Sequence, residues 1–129
     1  MITEDYVSFE IAKLLREKGF NEPCFAYYDL FHDSTGTTLK LYKKFPRNPL
    51  NKQYLNVPTL QAAMKWLRKN HKIDIIPFLV SHETVTIDQK YYGIKVYISR
   101  RLKNFPRELY KTPEEACEAA IKYCLENLI

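Results

Sequence analysis

The sequence predicts a single α+β domain: a four-stranded, mainly antiparallel sheet with three helices packed on one face, in the order α-β-β-α-β-β-α. Three observations predict it. Amphipathic helical stripes occur near the start, middle and end of the 129 residues. Each of the first two stripes is followed by a pair of strand-like runs separated by turn residues. Short echoes also fall in the same order in both halves, ending in KKFPR at 43–47 and KNFPR at 103–107. They suggest a helix-hairpin unit used twice, over 1–57 and 58–111, closed by a C-terminal helix over 112–129. The alternative is convergence, because amphipathic helices and turns reuse few residue types.

The first helix is expected from Thr3 to Lys18. Thr3 is its N-cap, Glu4 and Asp5 suit the positive end of the helix dipole, and Val7, Ile11, Leu14 and Leu15 form the buried stripe. Gly19 can end it in the left-handed conformation, leaving Phe20 to fold back on Leu15. The hairpin that follows pairs CFAYYDLF (24–31) with TLKLYKKF (38–45) across the turn HDSTG.

The second helix is expected from Pro58 to Asn70, with Leu60, Ala63, Met64 and Leu67 on one face. Its hairpin pairs IDIIPFLV (73–80) with YYGIKVYIS (91–99), and TVTI at 84–87 could add a short strand. The third helix opens with a capping box, Thr112 to Glu115, with Pro113 in its first turn. Cys117, Ala120, Ile121, Cys124 and Leu128 make its stripe. QAAMKWLRKN (61–70) and EAAIKYCLEN (118–127) align without a gap, which supports the repeat. Phe-Pro in both echoes ends a strand, since proline removes a ladder donor and restricts the residue before it. Arg47 and Arg107 then face water.

Composition narrows the class. A chain this long buries about two-thirds of its unfolded surface, enough for a core without disulfides or metal. A hydrophobic content of 46% with 14% aromatics places it among globular rather than disordered chains. Cys24, Cys117 and Cys124 are too few for a disulfide framework and read as core residues in a reducing compartment. The acidic N-terminus lacks the basic and apolar regions of a signal peptide, and IIPFLV is far short of a membrane span. The expectation is a cytoplasmic protein with no cofactor and no bound metal.

Charge is uneven. Residues 40–111 hold sixteen bases against four acids, while the segments on either side are net acidic. Such a block can attract phosphate or an acidic partner, or be an ordinary solvated surface. Strand alternation puts Leu39, Leu41, Ile94, Val96 and Ile98 under the helices. Lys40, Tyr42, Lys44, Tyr91, Lys95 and Tyr97 then stand on the open face. Interleaved tyrosine and lysine can bind a protein partner, a second copy or nucleic acid, and they are also what any wet strand face carries. Lys65, Arg68, Lys69 and Lys72 form a helical stripe which, with Arg100 and Arg101, is the nucleic-acid alternative. In a two-layer fold that stripe lies on the opposite side from the open sheet.

His32-Asp33-Ser34 and His82-Glu83-Thr84 are the groupings that look catalytic, but adjacent turn residues seldom aim at one atom. Local bonding to backbone explains both. His71 suits the C-terminus of the second helix. The sequence therefore points to a non-catalytic binding or adaptor protein.

Finally, MITEDYVSFEIAKLLREKGF, PTLQAAMKWLRKNHKIDI and YKTPEEACEAAIKYCLENLI resemble a group of short uncharacterised proteins of gut Bacteroides genomes, their phages and mobile elements. The resemblance covers both ends and the second helix. It implies no activity and no functional residue. By analogy alone, a mobile-element setting fits a small adaptor, regulator or host-targeting protein.

Overall fold

A computed structural model describes residues 4–42, 52–80, 91–103 and 108–129. The chain divides into two compact units, Met1–Ala63 with Ile129, and Met64–Leu128.

In the first unit, α1 spans Phe9–Glu17. Thr3 lies outside the described residues, and the N-cap is Ser8, whose hydroxyl accepts from the Ile11 amide at 3.2 Å. The helix starts later than its stripe suggests because residues 5–7 pair elsewhere. The Val7 amide donates to the Pro58 carbonyl at 3.1 Å, and the Leu60 amide donates to Asp5 at 2.9 Å. Val7 is buried nonetheless, and Glu10 takes the first-turn position expected of Glu4 and Asp5. The exit is as expected. Gly19 has φ +96°, and the Phe20 amide returns to the Leu15 carbonyl at 2.9 Å, leaving Phe20 buried.

Strands β1 (Ala26–Asp29), β2 (Lys40–Leu41) and β3 (Tyr54–Val57) form an antiparallel sheet in the order β2-β1-β3. Ala26, Tyr28, Leu55 and Val57 are buried on the face shared with α1, whose Ile11, Ala12 and Leu15 are also buried. Phe9 meets Tyr28 edge-on at 5.1 Å. Leu39 and Leu41 depart from expectation: both are exposed, Leu41 by 56%. β2 is a two-residue edge strand, too short to be covered.

Helix α2 (Leu60–His71) crosses the boundary between the units. It begins after Thr59 rather than at Pro58, because the Thr59 hydroxyl accepts from the Ala62 amide at 3.1 Å and Thr59 itself bridges to Tyr6. Leu60, Ala63, Trp66 and Leu67 are buried along it.

The second unit holds β4 (Ile73–Leu79), β5 (Tyr92–Ile98) and β6 (Arg101–Lys103), antiparallel in the order β4-β5-β6, with α3 (Pro113–Asn127) packed on β4 and β5. Ile73, Ile75 and Val96 are buried, as are Ala116, Cys117, Ala120, Ile121, Cys124 and Leu125 of the helix. The expected cap forms: the Thr112 hydroxyl accepts from the Glu115 amide at 3.1 Å. Leu128, expected in the stripe, is the half-buried C-cap.

The α+β class thus holds, but the single four-stranded sheet does not. The described strands number six, in two three-stranded sheets. Both expected hairpins are present, and each gains a third strand that short length had hidden. The third strand joins differently in each case. β6 follows β5 through a two-residue turn and can only pair with β5. β3 is separated from β2 by residues 42–53, enough chain to reach the far side of β1. The segment at 84–87, and all of both Phe-Pro-Arg echoes except Lys103, lie outside the described residues.

Candidate binding surface

The residues expected on one open face are divided between two sheets. Lys40 belongs to the first, with Tyr42 directly after its β2; Lys95 and Tyr97 belong to the second, with Tyr91 directly before its β5; and Lys44 lies outside the described residues. In the first sheet, register places Tyr27 opposite both Lys40 and Asn56, so the face away from α1 carries tyrosines. Tyr27 stacks on Tyr42 with centroids 4.2 Å apart and 21° between planes, and Tyr54 meets it edge-on at 5.5 Å. The three rings are half-buried. Lys40 beside them is exposed.

The second sheet is two-sided in a simpler way. Ile73, Ile75 and Val96 turn toward α3. Asp74, Ile76, Phe78, Lys95, Tyr97 and Leu102 alternate onto the other face. On that face Ile76 is 48% exposed, Phe78 38% and Leu102 61%. Phe78 lies across its register partner Gly93, where a Cβ would stand 2.5 Å from the ring's Cζ. The Lys95 ammonium sits 5.2 Å from the same ring's centroid. Tyr97 and Tyr91 are half-buried. Ile76, Phe78 and Leu102 were not among the expected site residues, although the alternation in IDIIPFL sets 74, 76 and 78 apart from 73 and 75.

The β4 edge is protected by its own sequence. The Val80 amide donates to Tyr91 at 2.8 Å and the Ser99 amide to Lys72 at 2.9 Å, which fixes the phase of the ladder. That phase turns the Pro77 nitrogen away from β5, so proline replaces an outward N–H at an edge that no other described strand pairs with.

Basic residues gather at one end of this sheet. Arg68 and Lys72, at the end of α2, line an open groove of about 500 Å³ together with Asp74, Ser99 and Arg100. Asp74 also stands on the open face, in register with Tyr97. The end of the helical stripe therefore meets the edge of the open face, instead of lying on the opposite side as the two-layer picture required. α2 runs into β4 with Lys72 alone between them. Lys65 and Lys69 are exposed along the helix and do not line the groove, and Arg101 alternates to the other side of the sheet, opposite Ile98.

The turn His32-Asp33-Ser34 is held by local bonds. His32 Nδ1 donates to Asp29 at 2.9 Å, not to its neighbour Asp33. Gln53 and the Phe31 amide also donate to Asp29, both at 3.2 Å. Burial opposes ionisation of Asp29, but the bonds from His32, Gln53 and Phe31 outweigh it and hold the carboxyl below its usual range. Asp33 accepts from the Thr37 and Thr38 amides and the Thr37 hydroxyl, at 2.7–2.9 Å, and these lower its pKa too. Both carboxylates close the loop that leads to β2. His82-Glu83-Thr84 lies outside the described residues. His71 rests against Trp66 at 4.9 Å in the last turn of α2.

The three cysteines are buried free thiols. Burial pushes Cys24 and Cys124 up to about 12 and Cys117 up to about 11, so none carries a reactive thiolate near neutrality. Among the described residues, no group of three or more His, Cys, Asp or Glu is placed to hold a metal ion, and no helix is long and apolar enough to cross a membrane. No protein-family model, curated protein or solved structure matches the chain.

Proposed function

We propose that this is a non-catalytic binding protein that docks a protein partner on the open face of its second sheet. One observation carries the reading. The side of the sheet opposite α3 leaves Ile76, Phe78 and Leu102 in water around Lys95 and Tyr97. A monomer gains nothing from aliphatic and aromatic side chains clustered on a sheet face, and such clusters mark interaction sites. The partner's chemistry follows from the charges. Lys95 lies within the patch and Arg68, Lys72 and Arg100 border it, so the complementary surface is apolar with acidic residues around it. A second copy would set these cations against their like.

The test is affinity capture from a native lysate after nuclease treatment, comparing the wild-type chain with Ile76→Asp and Leu102→Asp. A defined protein enriched by the wild type and lost from both variants, with Lys65→Ala as an unaffected control, supports the reading. Equal recovery by all four chains overturns it. Capture that occurs only when nuclease is omitted assigns the surface to nucleic acid. Sedimentation of the purified chain separates self-association.

A further inference from the structure

We infer that the groove formed by Arg68, Lys72, Asp74, Ser99 and Arg100 is a binding site for a sugar phosphate monoester, its phosphate against the cations and a sugar hydroxyl against Asp74. This site borders the docking face and shares Asp74 with it, but the argument for it does not rest on that face.

The first observation is backbone conformation. Among the described residues, three that are not glycine have positive φ: Lys72 at +56°, Ser99 at +49° and Arg100 at +71°. All three line this groove. Lys72 occupies the residue after α2, the position that glycine or asparagine fills most easily. Ser99 and Arg100 form the two-residue turn between β5 and β6, with positive φ at both, a geometry that favours Asn-Gly. Glycine would remove the conformational cost at each position, yet the chain places an ammonium, a hydroxyl and a guanidinium there. The Ser99 amide donates to the Lys72 carbonyl at 2.9 Å, so the helix end and the turn are joined and their side chains share one site.

The second observation is the donor set. Arg68, Lys72 and Arg100 offer positive charge from separate segments, and among the described residues none is paired with a carboxylate. Guanidinium and ammonium groups lining one groove with a hydroxyl donor suit phosphate oxygens. Asp74 lines the same groove and, among the described residues, forms no ion pair there. A carboxylate would repel a bare phosphate but accepts a hydrogen bond from a hydroxyl of the sugar that carries it, as acidic residues do for ribose. The charges therefore favour a sugar phosphate, free or at the end of an RNA strand.

Titration calorimetry at low salt tests this with ribose 5-phosphate, methyl phosphate and ribose. Ribose phosphate is expected to bind at least about fivefold tighter than methyl phosphate, and ribose not to bind, as pairwise coupling between charge and hydroxyl contacts requires. In Asp74→Ala the preference for the sugar should vanish while methyl phosphate binds as well or better. The double change Ser99→Asn with Arg100→Gly supplies the preferred turn. It should raise the melting temperature and weaken ribose phosphate at least about tenfold. A variant that melts higher but binds unchanged overturns the proposal, as does a wild-type chain that binds neither phosphate. RNA oligonucleotides with and without a 5′-phosphate separate the sources. Preference for the phosphorylated end assigns the site to a strand terminus, and its absence alongside ribose phosphate binding assigns it to the free sugar phosphate. Equal binding of both oligonucleotides with no ribose phosphate binding refutes a monoester site.

Discussion

Gly93 and Phe78 should behave as one unit. Gly93 lies within β5 at a backbone conformation open to any residue, so alanine there gains roughly 0.5–1 kcal/mol by restricting the unfolded chain. It also meets the Phe78 ring, whose Cζ, Cε1 and Cε2 would stand 2.5, 2.9 and 3.1 Å from the new methyl group. No real Cβ tolerates the shortest of these, so the ring must swing away. Phe78 is 38% exposed and can do so, but it loses its cover over β5 and its position under Lys95. About 40–50 Å² of apolar surface returned to water costs roughly 1 kcal/mol, and the lost cation–π contact about 0.5–1 more.

Gly93→Ala should therefore destabilise the wild-type chain by about 1 kcal/mol and stabilise Phe78→Ala by roughly 0.5–1. The coupling is about 1.5–2 kcal/mol. Trp66 is the one tryptophan and is buried in the same unit, so its fluorescence on urea unfolding reports the relevant transition. If alanine at 93 shifts both backgrounds alike, with a coupling below about 0.3 kcal/mol, Phe78 does not lie on Gly93 and the open face is not built as described.

Gly36→Ala should cost the first unit about 2 kcal/mol, because φ is +71° there and the Phe9 ring, edge-on to Tyr28, fills the space of a Cβ; urea unfolding followed by circular dichroism measures it. Thr112→Ala should lower stability by about 1 kcal/mol through loss of the α3 cap, with Ser recovering most of it in the same assay. Cys24, Cys117 and Cys124 should resist Ellman's reagent at pH 8 until denaturant is added, when three thiols react. Their folded values are raised, so the stability they confer is present below the ordinary thiol range and declines as pH rises toward 11–12; the urea midpoint should fall over that window. Asp29 has the opposite sign. Its lowered carboxyl adds stability above the ordinary carboxylate range, lost as pH falls through the folded value, so Asp29→Asn should flatten the acid limb of the urea midpoint.

The elements most legible in the sequence were those specified by local chemistry. Thr112, Pro113 and Glu115 fix the start of α3 whatever surrounds it, and Gly19 ends α1. The start of α1 was hidden because hydrogen bonds to Asp5 and from Val7 depend on residues 58–60, more than fifty positions away. β3 was hidden for a related reason: four residues containing a buried asparagine show no period of their own, and their partner is β1. β6 consists of three exposed residues after a Ser-Arg turn that lacks the usual Asn-Gly signature. Alternation within β5 did set Lys95 and Tyr97 apart from Val96 correctly. The aliphatic half of the surface waited on register, since Ile76 and Leu102 join Lys95 only once the strands are paired.

The different route of the third strand also accounts for the difference between the two faces. In the first sheet β3 comes to the free side of β1, and Tyr54 arrives against Tyr27, which Tyr42 already covers. The tyrosines there shield one another. In the second sheet the two-residue turn holds β6 to β5, and the residue it adds to the open side is Leu102, 61% exposed beside Tyr97. The same order of helix and strands thus closes one aromatic face on itself and leaves the other with aliphatic surface in water. The turn responsible is the one held in an unfavourable backbone conformation by Ser99 and Arg100, so lengthening it by inserted glycines tests the connection. β6 should then detach, Ile98 and Val96 should lose protection from amide exchange on that edge, and partner capture should fall as it does in Leu102→Asp. Capture that survives while protection is lost would place the docking surface elsewhere than on the sheet that β6 completes.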